Sequence, residues 1–406
     1  MTRTASLRTL TVGLVVLLVA LPAMAQKFVG NPLSRLDTSP PLTRSELRII
    51  DAIIGLAPDQ RELTNALYDE FFDRFQTEAA AVESEVIALI DESLYRADGK
   101  AFGRAEELTE QWNERRDDLR ESLVSDLRLL LDQQQVELWP KVERELRRNE
   151  LLPLGRLAGE QIDLIRLVDT YARGWDADAE LVALLDQYAE RLDRALIARR
   201  TILDSDDAAE YPTLLKDEPL RAAEIFEDVR AERVRVRDVN ISALVPIVQR
   251  LSADDAARLT RAFFRQATDH LVPPSMTEAR VRSASSLPTL SDEQRARVLD
   301  AISQLEQRKE RWTRTFFDAV ADSEESSLPP ELAWAVARAN APDDADAKAT
   351  FVAEEANLSN IMAERLEIDR DAWRQISAVL APQQRADLPR PVQETVRFGS
   401  IRPRGL

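Results

Sequence analysis

Apolar residues recur every three or four positions along most of this 406-residue chain. Leu63, Leu67, Phe71 and Phe75 follow that spacing, which places them on one face of an α-helix. Similar series occur at Leu181, Leu185, Tyr188, Leu192 and Ala195, at Val298, Ile302, Leu305, Trp312 and Phe316, and at Ala105, Leu108, Trp112, Leu119, Leu123 and Leu127. No segment alternates as a half-buried strand does, so the pattern predicts an all-α protein.

Short polar segments of similar sequence stand where these helices are expected to begin. They are LAPDQR at 56–61, LDQQQ at 131–135, LSADD at 251–255, LSDEQR at 290–295 and LAPQQR at 380–385. In LSDEQR, Ser291 is the expected N-cap and Gln294 its partner in a capping box. Pro58 and Pro382 stand at the first helical position, where a missing N–H costs nothing.

The spacing of these helix starts is nearly regular. Asp132, Ser252 and Ala381 are separated by 120 and 129 residues. A second series consists of Ala57, Asp176 and Ser291. The two series predict three degenerate repeats of long helical hairpins, although helix starts also recur by chance in an all-helical chain. The predicted repeats are residues 47–155, 156–272 and 273–388, between an extended linker at 26–46 and a flexible tail at 389–406.

Residues 1–25 resemble a secretory signal peptide. Arg3 and Arg8 precede an apolar run over residues 10–21, and the small-residue pattern AMA follows just before Gln26. The run is shorter than the roughly 20 residues that cross a bilayer, although an uncleaved anchor is the alternative. The sequence thus predicts a periplasmic or secreted protein that begins at Gln26 and has no stable membrane insertion.

The charge balance is strongly acidic. The net charge is −18, and it becomes −20 when Arg3 and Arg8 leave with the signal peptide. Such a surface repels phosphate backbones, so no nucleic-acid partner is expected. The chain has no cysteine, and its basic residues are almost all arginine. This preference fits either a GC-rich genome or arginine-rich contact surfaces. The few lysines are Lys27, Lys100, Lys141, Lys216, Lys309 and Lys348.

Most catalytic and metal-binding chemistries lack the residues they need. His270 is the only histidine, so zinc, copper, di-iron and histidine-based triad sites are not expected, and we interpret His270 as a packing residue. The acidic pairs Asp254-Asp255, Glu324-Glu325 and Glu354-Glu355 are interpreted as solvated helix faces, with calcium binding left open. We therefore predict no enzyme activity, no catalytic residue, no cofactor and no metal site. A hydrolase with an unrecognised carboxylate pair is the alternative, and it would require a buried polar cleft.

Adjacent phenylalanines occur on three of the predicted helices, at Phe71-Phe72, Phe263-Phe264 and Phe316-Phe317. Neighbours on a helix point about 100° apart, so one ring of each pair enters the core and the other lies at the edge of the apolar stripe. Phe72, Phe264 and Phe317 are the predicted edge residues, and we expect them to bind a client or partner protein. The alternative is that these helices have wide buried faces.

The helix-start segments are similar to the Leu-Thr-x-x-Gln motif of the Spy and CpxP group of bacterial periplasmic proteins. The matching residues are 56–60, 290–294 and 380–384, with 131–135 and 251–255 as looser copies. The resemblance implies a helical-hairpin fold, a curved dimer or extended assembly, and ATP-independent binding of unfolded clients or of a stress sensor. The expected partners are unfolded or envelope proteins. The alternative is a helical-repeat scaffold for protein assembly in the cell envelope.

Overall fold

The computed structural model describes residues 32–96, 99–269, 271–272, 275–340 and 345–389. Every regular element in these ranges is a helix, which confirms the all-α prediction. The predicted signal peptide, Gln26, His270 and nearly all of the predicted tail lie outside the described residues. Among the helices that are described, none combines the length and the low charge required to cross a bilayer.

The chain divides into two compact units, residues 1–145 and 146–406. In the first unit, α1 to α4 are followed by α5, which continues past residue 145. Their bounds are Pro32–Arg35 (α1), Arg44–Ile54 (α2), Pro58–Arg96 (α3), Gly99–Leu129 (α4) and Gln133–Leu151 (α5). Helices α3 and α4 form a long hairpin, in which Phe75 packs on Trp112 with ring centroids 5.5 Å apart.

The segment before α2 is held against the first unit by hydrogen bonds. The indole N–H of Trp112 donates to the carbonyl oxygen of Asp37 at 2.8 Å, and the hydroxyl of Tyr68 donates to that of Leu42 at 3.3 Å. Leu42 is fully buried, and Thr43 forms a capping box that starts α2. Residues 32–46 therefore include helical turns and contacts with the first unit, where the sequence predicted an extended linker. Trp112 and Tyr68 each have one polar group that requires a hydrogen-bond acceptor, and the carbonyl oxygens of this segment provide it.

The second unit contains ten further α-helices within the described residues. They are Leu164–Tyr171 (α6), Ala179–Leu203 (α7), Asp206–Asp217 (α8), Pro219–Arg250 (α9), Ala253–Asp269 (α10), Met276–Ala284 (α11), Asp292–Ser326 (α12), Pro330–Asn340 (α13), Ala345–Val379 (α14) and Pro382–Ala386 (α15). One hydrophobic core contains residues on both sides of the boundary predicted between the second and third repeats. The rings of Phe263 and Phe317, for example, are 6.3 Å apart. The three-repeat division is thus not matched by the two compact units and stays a prediction.

The helix starts agree closely with the sequence prediction. Ser291 and Gln294 form the expected capping box, and α3 and α15 begin at Pro58 and Pro382. One assignment is wrong, because α7 is capped by Asp178 and not by Asp176. Asp178 accepts hydrogen bonds from two backbone N–H groups of α7, whereas Asp176 lies in a short 3-10 turn.

The glutamines of the helix-start segments pair across helix ends. In the first unit, Gln60 and Gln135 exchange hydrogen bonds at 2.8 and 2.9 Å, and each oxygen also accepts the backbone N–H of its own N-cap residue. Gln294 and Gln384 repeat this arrangement in the second unit at 3.3 Å. At Asp178 an ion pair with Arg250, 2.9 Å long, replaces the amide pair. The recurring polar positions of the helix-start segments thus form contacts that join one helix start to another part of the same unit.

We expect Gln60→Leu to lower the free energy of unfolding by about 1–3 kcal/mol, because Gln135 loses its amide partner and the Leu130 carbonyl loses a donor. Urea unfolding followed by circular dichroism measures this change. Gln134→Leu is the matched control, since Gln134 directly precedes Gln135 on α5 but is exposed. Equal stability of the two variants would contradict a stabilising role for the pair.

Candidate functional site

A pocket in the second unit lies among α10, α11, α12 and α14. Its volume is about 460 Å³, within the range of roughly 300–1,000 Å³ typical of small-ligand sites. Phe264, Val272 and Trp312 supply its apolar lining, and Glu278 and Lys309 are among its charged residues. The pocket therefore combines an aromatic wall with titratable groups, which makes it our candidate functional site.

Glu278 is held at the base of the pocket by its own helix and by three cations. Ser275 caps α11 and accepts the backbone N–H of Glu278 at 3.0 Å. One carboxylate oxygen of Glu278 lies 2.7 Å from Arg365 and also contacts Lys309, while the other accepts from Arg282 at 3.0 Å. Glu278 is thus a buried carboxylate, and both of its oxygens are paired with cationic side chains.

The surrounding charges and burial determine the pKa values of Glu278 and Lys309. Burial alone would raise the pKa of Glu278, but the hydrogen bond and charge of Lys309 and the charge of Arg365 outweigh it and lower the pKa. Burial lowers the pKa of the Lys309 amine, and the nearby Arg365 guanidinium lowers it further. Glu278 is therefore ionised at neutral pH, and Lys309 is a cation that loses its proton more readily than an ordinary lysine.

Arg365 ties the polar base of the pocket to its aromatic wall. Its guanidinium bonds Asp369 as well as Glu278, and Asp369 accepts the Ser275 hydroxyl at 2.5 Å. The same guanidinium stacks 5.6 Å from the Trp312 ring centroid. Trp312 itself donates its indole N–H to the Ile361 carbonyl at 2.7 Å. These bonds fix the side chains around the cavity before any ligand arrives.

The three predicted binding residues occupy different environments. Phe264 is half-buried and lines the pocket, with Arg314 stacked 5.2 Å from its ring. Phe317 is only 4% exposed, so its predicted position at an exposed edge is wrong. It packs edge-on against Phe263 and Phe264, because α10 covers this face of α12. Phe72 belongs to the first unit, where it is half-buried and stacks on Tyr68.

A second charged cluster lies inside the second unit, where residues 155–163 enter the helical core. Glu160 is 0% exposed, accepts the backbone N–H groups of Arg156 and Leu157 at 2.6 and 2.9 Å, and is paired with Arg199 at 2.5 Å. Glu324 accepts the Ala158 N–H at 3.0 Å. Burial, reinforced by the charge of Glu160, raises the pKa of Glu324 to about 8.

This cluster corrects the interpretation of the acidic pairs, because the Glu324 side chain is only 10% exposed and is not part of a solvated face. Glu325 is exposed, as expected. Two neighbouring carboxylates withdrawn from solvent resemble an acid–base pair. The full burial of Glu160 leaves no room for a substrate, however, and its hydrogen bonds all go to protein groups that hold the 155–163 segment. We therefore assign this cluster a structural role.

The chemistry available in the pocket favours binding. Glu278 and Lys309 neutralise each other, and the carboxylate has no oxygen left for a substrate proton. In the part of the chain that the structure describes, no three acidic side chains converge as metal ligands would. What remains accessible is an apolar wall with charged groups that accept or donate hydrogen bonds.

Sequence reasoning missed Glu278, Lys309 and Arg365 as a group. Glu278 and Arg365 are separated by 87 residues, and each has the spacing of an ordinary helix surface residue. Lys309 did carry a signal, since it is one of very few lysines in an arginine-rich chain. A compact ammonium fits beside Glu278 and Arg365 in a space where a planar guanidinium would need more room.

The chain was compared with models of protein families, with curated proteins and with solved structures, and none of the three comparisons gives a match.

Proposed function

We propose that this chain is an exported, non-enzymatic binding protein that holds unfolded or envelope proteins without ATP, in the manner of Spy, either as a chaperone or as an envelope-stress adaptor. The export part of the proposal rests on the signal-like sequence of residues 1–25. The binding part rests on the pocket of the second unit. The resemblance of the helix-start segments to the Leu-Thr-x-x-Gln motif supports the same class of function.

The observation that carries the proposal is the half-buried ring of Phe264, backed by the buried Trp312, beside a fixed set of charges in the same pocket. A client chain can place an apolar side chain against such a wall and a polar group on the charges. Pre-organised side chains reduce the entropy lost on binding, and here the bonds of Trp312 and Arg365 provide that order. Binding sites commonly use this combination.

We expect Phe264→Ser to weaken the ability of the purified protein to delay aggregation of an unfolded client by several-fold. The ring supplies part of the apolar wall, and burial of a full phenylalanine contributes about 1.5–3 kcal/mol. Light scattering of the client with increasing amounts of protein measures the effect. Phe72→Ser is the matched control, because Phe72 is also the second, half-buried ring of a pair but belongs to the first unit.

Thermal unfolding of each variant separates binding from stability. Phe317→Ser should melt well below the wild type, because truncation of a buried phenylalanine costs about 3–5 kcal/mol. Phe264→Ser should melt closer to the wild type. Wild-type protein that leaves client aggregation unchanged would refute the proposed function. If Phe72→Ser and Phe264→Ser lost client protection to the same extent, the pocket would not be the client-binding site.

A structural scaffold is the second candidate function, and exposed apolar side chains of α3 favour it. Ile87 and Leu94 are 42% and 65% exposed near the end of the α3–α4 hairpin, and they are seven residues apart on one helix face. Such residues suit permanent contact with another protein. A tight, stoichiometric complex with one envelope protein, together with no effect on unfolded clients, would favour this role.

A further inference from the structure

The charged residues of the pocket differ in how far they are already satisfied. Every carboxylate that lines it has a protein partner: Glu278 has Lys309 and Arg365, Glu306 lies 2.6 Å from Arg282, and Glu310 lies 3.3 Å from Arg261. Asp269 is engaged as well. The acidic side chains therefore have little capacity left to hold a cationic ligand.

Two cations keep hydrogen-bonding capacity. Arg265 is exposed at the pocket, and its guanidinium forms no ion pair with any residue that the structure describes. The ammonium of Lys309 carries three N–H donors, and within the described ranges its ion pair is with Glu278 alone. Its side chain is 19% exposed, so it still reaches the cavity. These donors select an anionic or strongly accepting group.

The net charge of the side chains that line the pocket indicates the charge of the ligand. Five cationic and four anionic side chains line the pocket, which leaves a formal charge of +1 inside a chain whose net charge is −18. A singly charged carboxylate matches this excess. A doubly charged phosphate would bring a second negative charge close to Glu278 and Glu306 without a cation to balance it.

The apolar wall indicates what carries the carboxylate. Phe264, Val272 and Trp312 line the same cavity, and guanidinium groups already cover one face of Phe264 and of Trp312. Phe264 is only half-buried, so part of its ring surface remains for contact with the ligand. A flat aromatic or branched apolar group fits such a wall and tolerates a neighbouring negative charge.

We infer that the pocket binds a carboxylate carried by an aromatic or branched apolar group, with Lys309 and Arg265 as its donors and Phe264 as its apolar contact. This inference rests on the proposed binding function and names the ligand chemistry of that site. Such a group is supplied either by a free carboxylic acid or by the C-terminal residue of a client chain.

Isothermal titration of the full chain with two matched pairs of ligands distinguishes these sources. The first pair is N-acetylphenylalanine and its amide, and the second is a short peptide that ends in phenylalanine, as the free acid and as the C-terminal amide. We expect each acid to bind at least about tenfold more tightly than its amide, because a hydrogen bond to a charged group is the stronger kind. Binding of the peptide acid alone would assign the site to client termini.

Arg265→Gln, Lys309→Met and Arg311→Gln test the donors. Arg311 is exposed on α12 outside the pocket lining and provides the matched control. We expect Arg265→Gln to weaken binding of the acid by about tenfold and leave the amide unchanged, with Arg311→Gln equal to the wild type. Lys309→Met should weaken it further. Arg265 is exposed and has no ion pair with a described residue, so its variant decides the test even if Lys309→Met fails to fold.

Equal affinity for acid and amide, or equal effects of Arg265→Gln and Arg311→Gln, would overturn the inference. So would the absence of binding by both acids. If wild-type protein still delayed client aggregation in that case, the ligand class would be wrong and the proposed function would stand. Binding of the acids without any effect on client aggregation would refute the proposed function and support the ligand class.

Discussion

Replacement of Glu160 by alanine is expected to lower the free energy of unfolding of the second unit by about 3–5 kcal/mol, because it leaves a buried charge without its partner. Arg199 is 1% exposed and pairs with Glu160 at 2.5 Å, and Arg233 lies 3.4 Å from the same carboxylate. The carboxylate also accepts the backbone N–H groups of Arg156 and Leu157. All of these donors lose their acceptor together in Glu160→Ala.

Urea unfolding of the full chain, followed by circular dichroism, measures this loss. Glu190→Ala is the matched control, because Glu190 is an exposed glutamate on α7, the helix that carries Arg199, and it should change stability by no more than about 0.5 kcal/mol. The double variant Glu160→Ala with Arg199→Leu should recover part of the lost stability, since it removes the uncompensated charge. If Glu160→Ala were as stable as Glu190→Ala, the buried ion pair would have no structural role.

Glu324 should make the second unit less stable as the pH rises from 5 to 8. Its pKa is about 8 in the folded protein against an ordinary value of 4.5, so the folded state retains a proton that the unfolded chain has lost. The stabilisation is complete below pH 4.5 and disappears as the pH approaches 8. The largest slope from one such group is about 1.4 kcal/mol per pH unit.

Glu324→Gln should remove this dependence, because glutamine keeps an acceptor for the Ala158 N–H but does not ionise. The stability difference between wild type and variant, measured by urea unfolding at several pH values, should fall by about 1 kcal/mol per unit between pH 5 and 8. Asp322→Asn, at an exposed position of the same helix, should give a flat difference. A flat difference for Glu324→Gln would mean that Arg237, 3.8 Å away, keeps Glu324 ionised.

The helical character and most helix starts were readable from the sequence because their causes are local. A three- to four-residue apolar period needs only one face of one helix to be buried, and Val298, Leu305 and Trp312 are indeed buried on α12. A capping box joins residues three positions apart, so Ser291 and Gln294 identify each other without distant help. The error at α7 arose because Asp176 and Asp178 both suit a cap.

The candidate site depends on contacts that join distant parts of the chain. Glu278 on α11, Lys309 on α12 and Arg365 on α14 each look like a solvated helix residue in the sequence. Whether a charged side chain is buried depends on whether a partner arrives from another helix, and no local pattern carries that information. The prediction for Phe317 was wrong for the same reason. Its position on α12 alone places it at the edge of the apolar stripe, but α10 packs on that edge and buries the ring.

The sequence by itself therefore determined the fold class, the positions where most helices begin and the apolar stripes they bury, because backbone hydrogen bonding and side-chain periodicity act over a few residues. The tertiary structure alone decided that residues 32–42 pack on the first unit, that Glu160 and Glu324 hold residues 155–163 inside the second, and that a charged pocket forms beside Phe264. Each of these outcomes brings a polar group out of water, and its free energy is favourable only with partners tens of residues away in the chain.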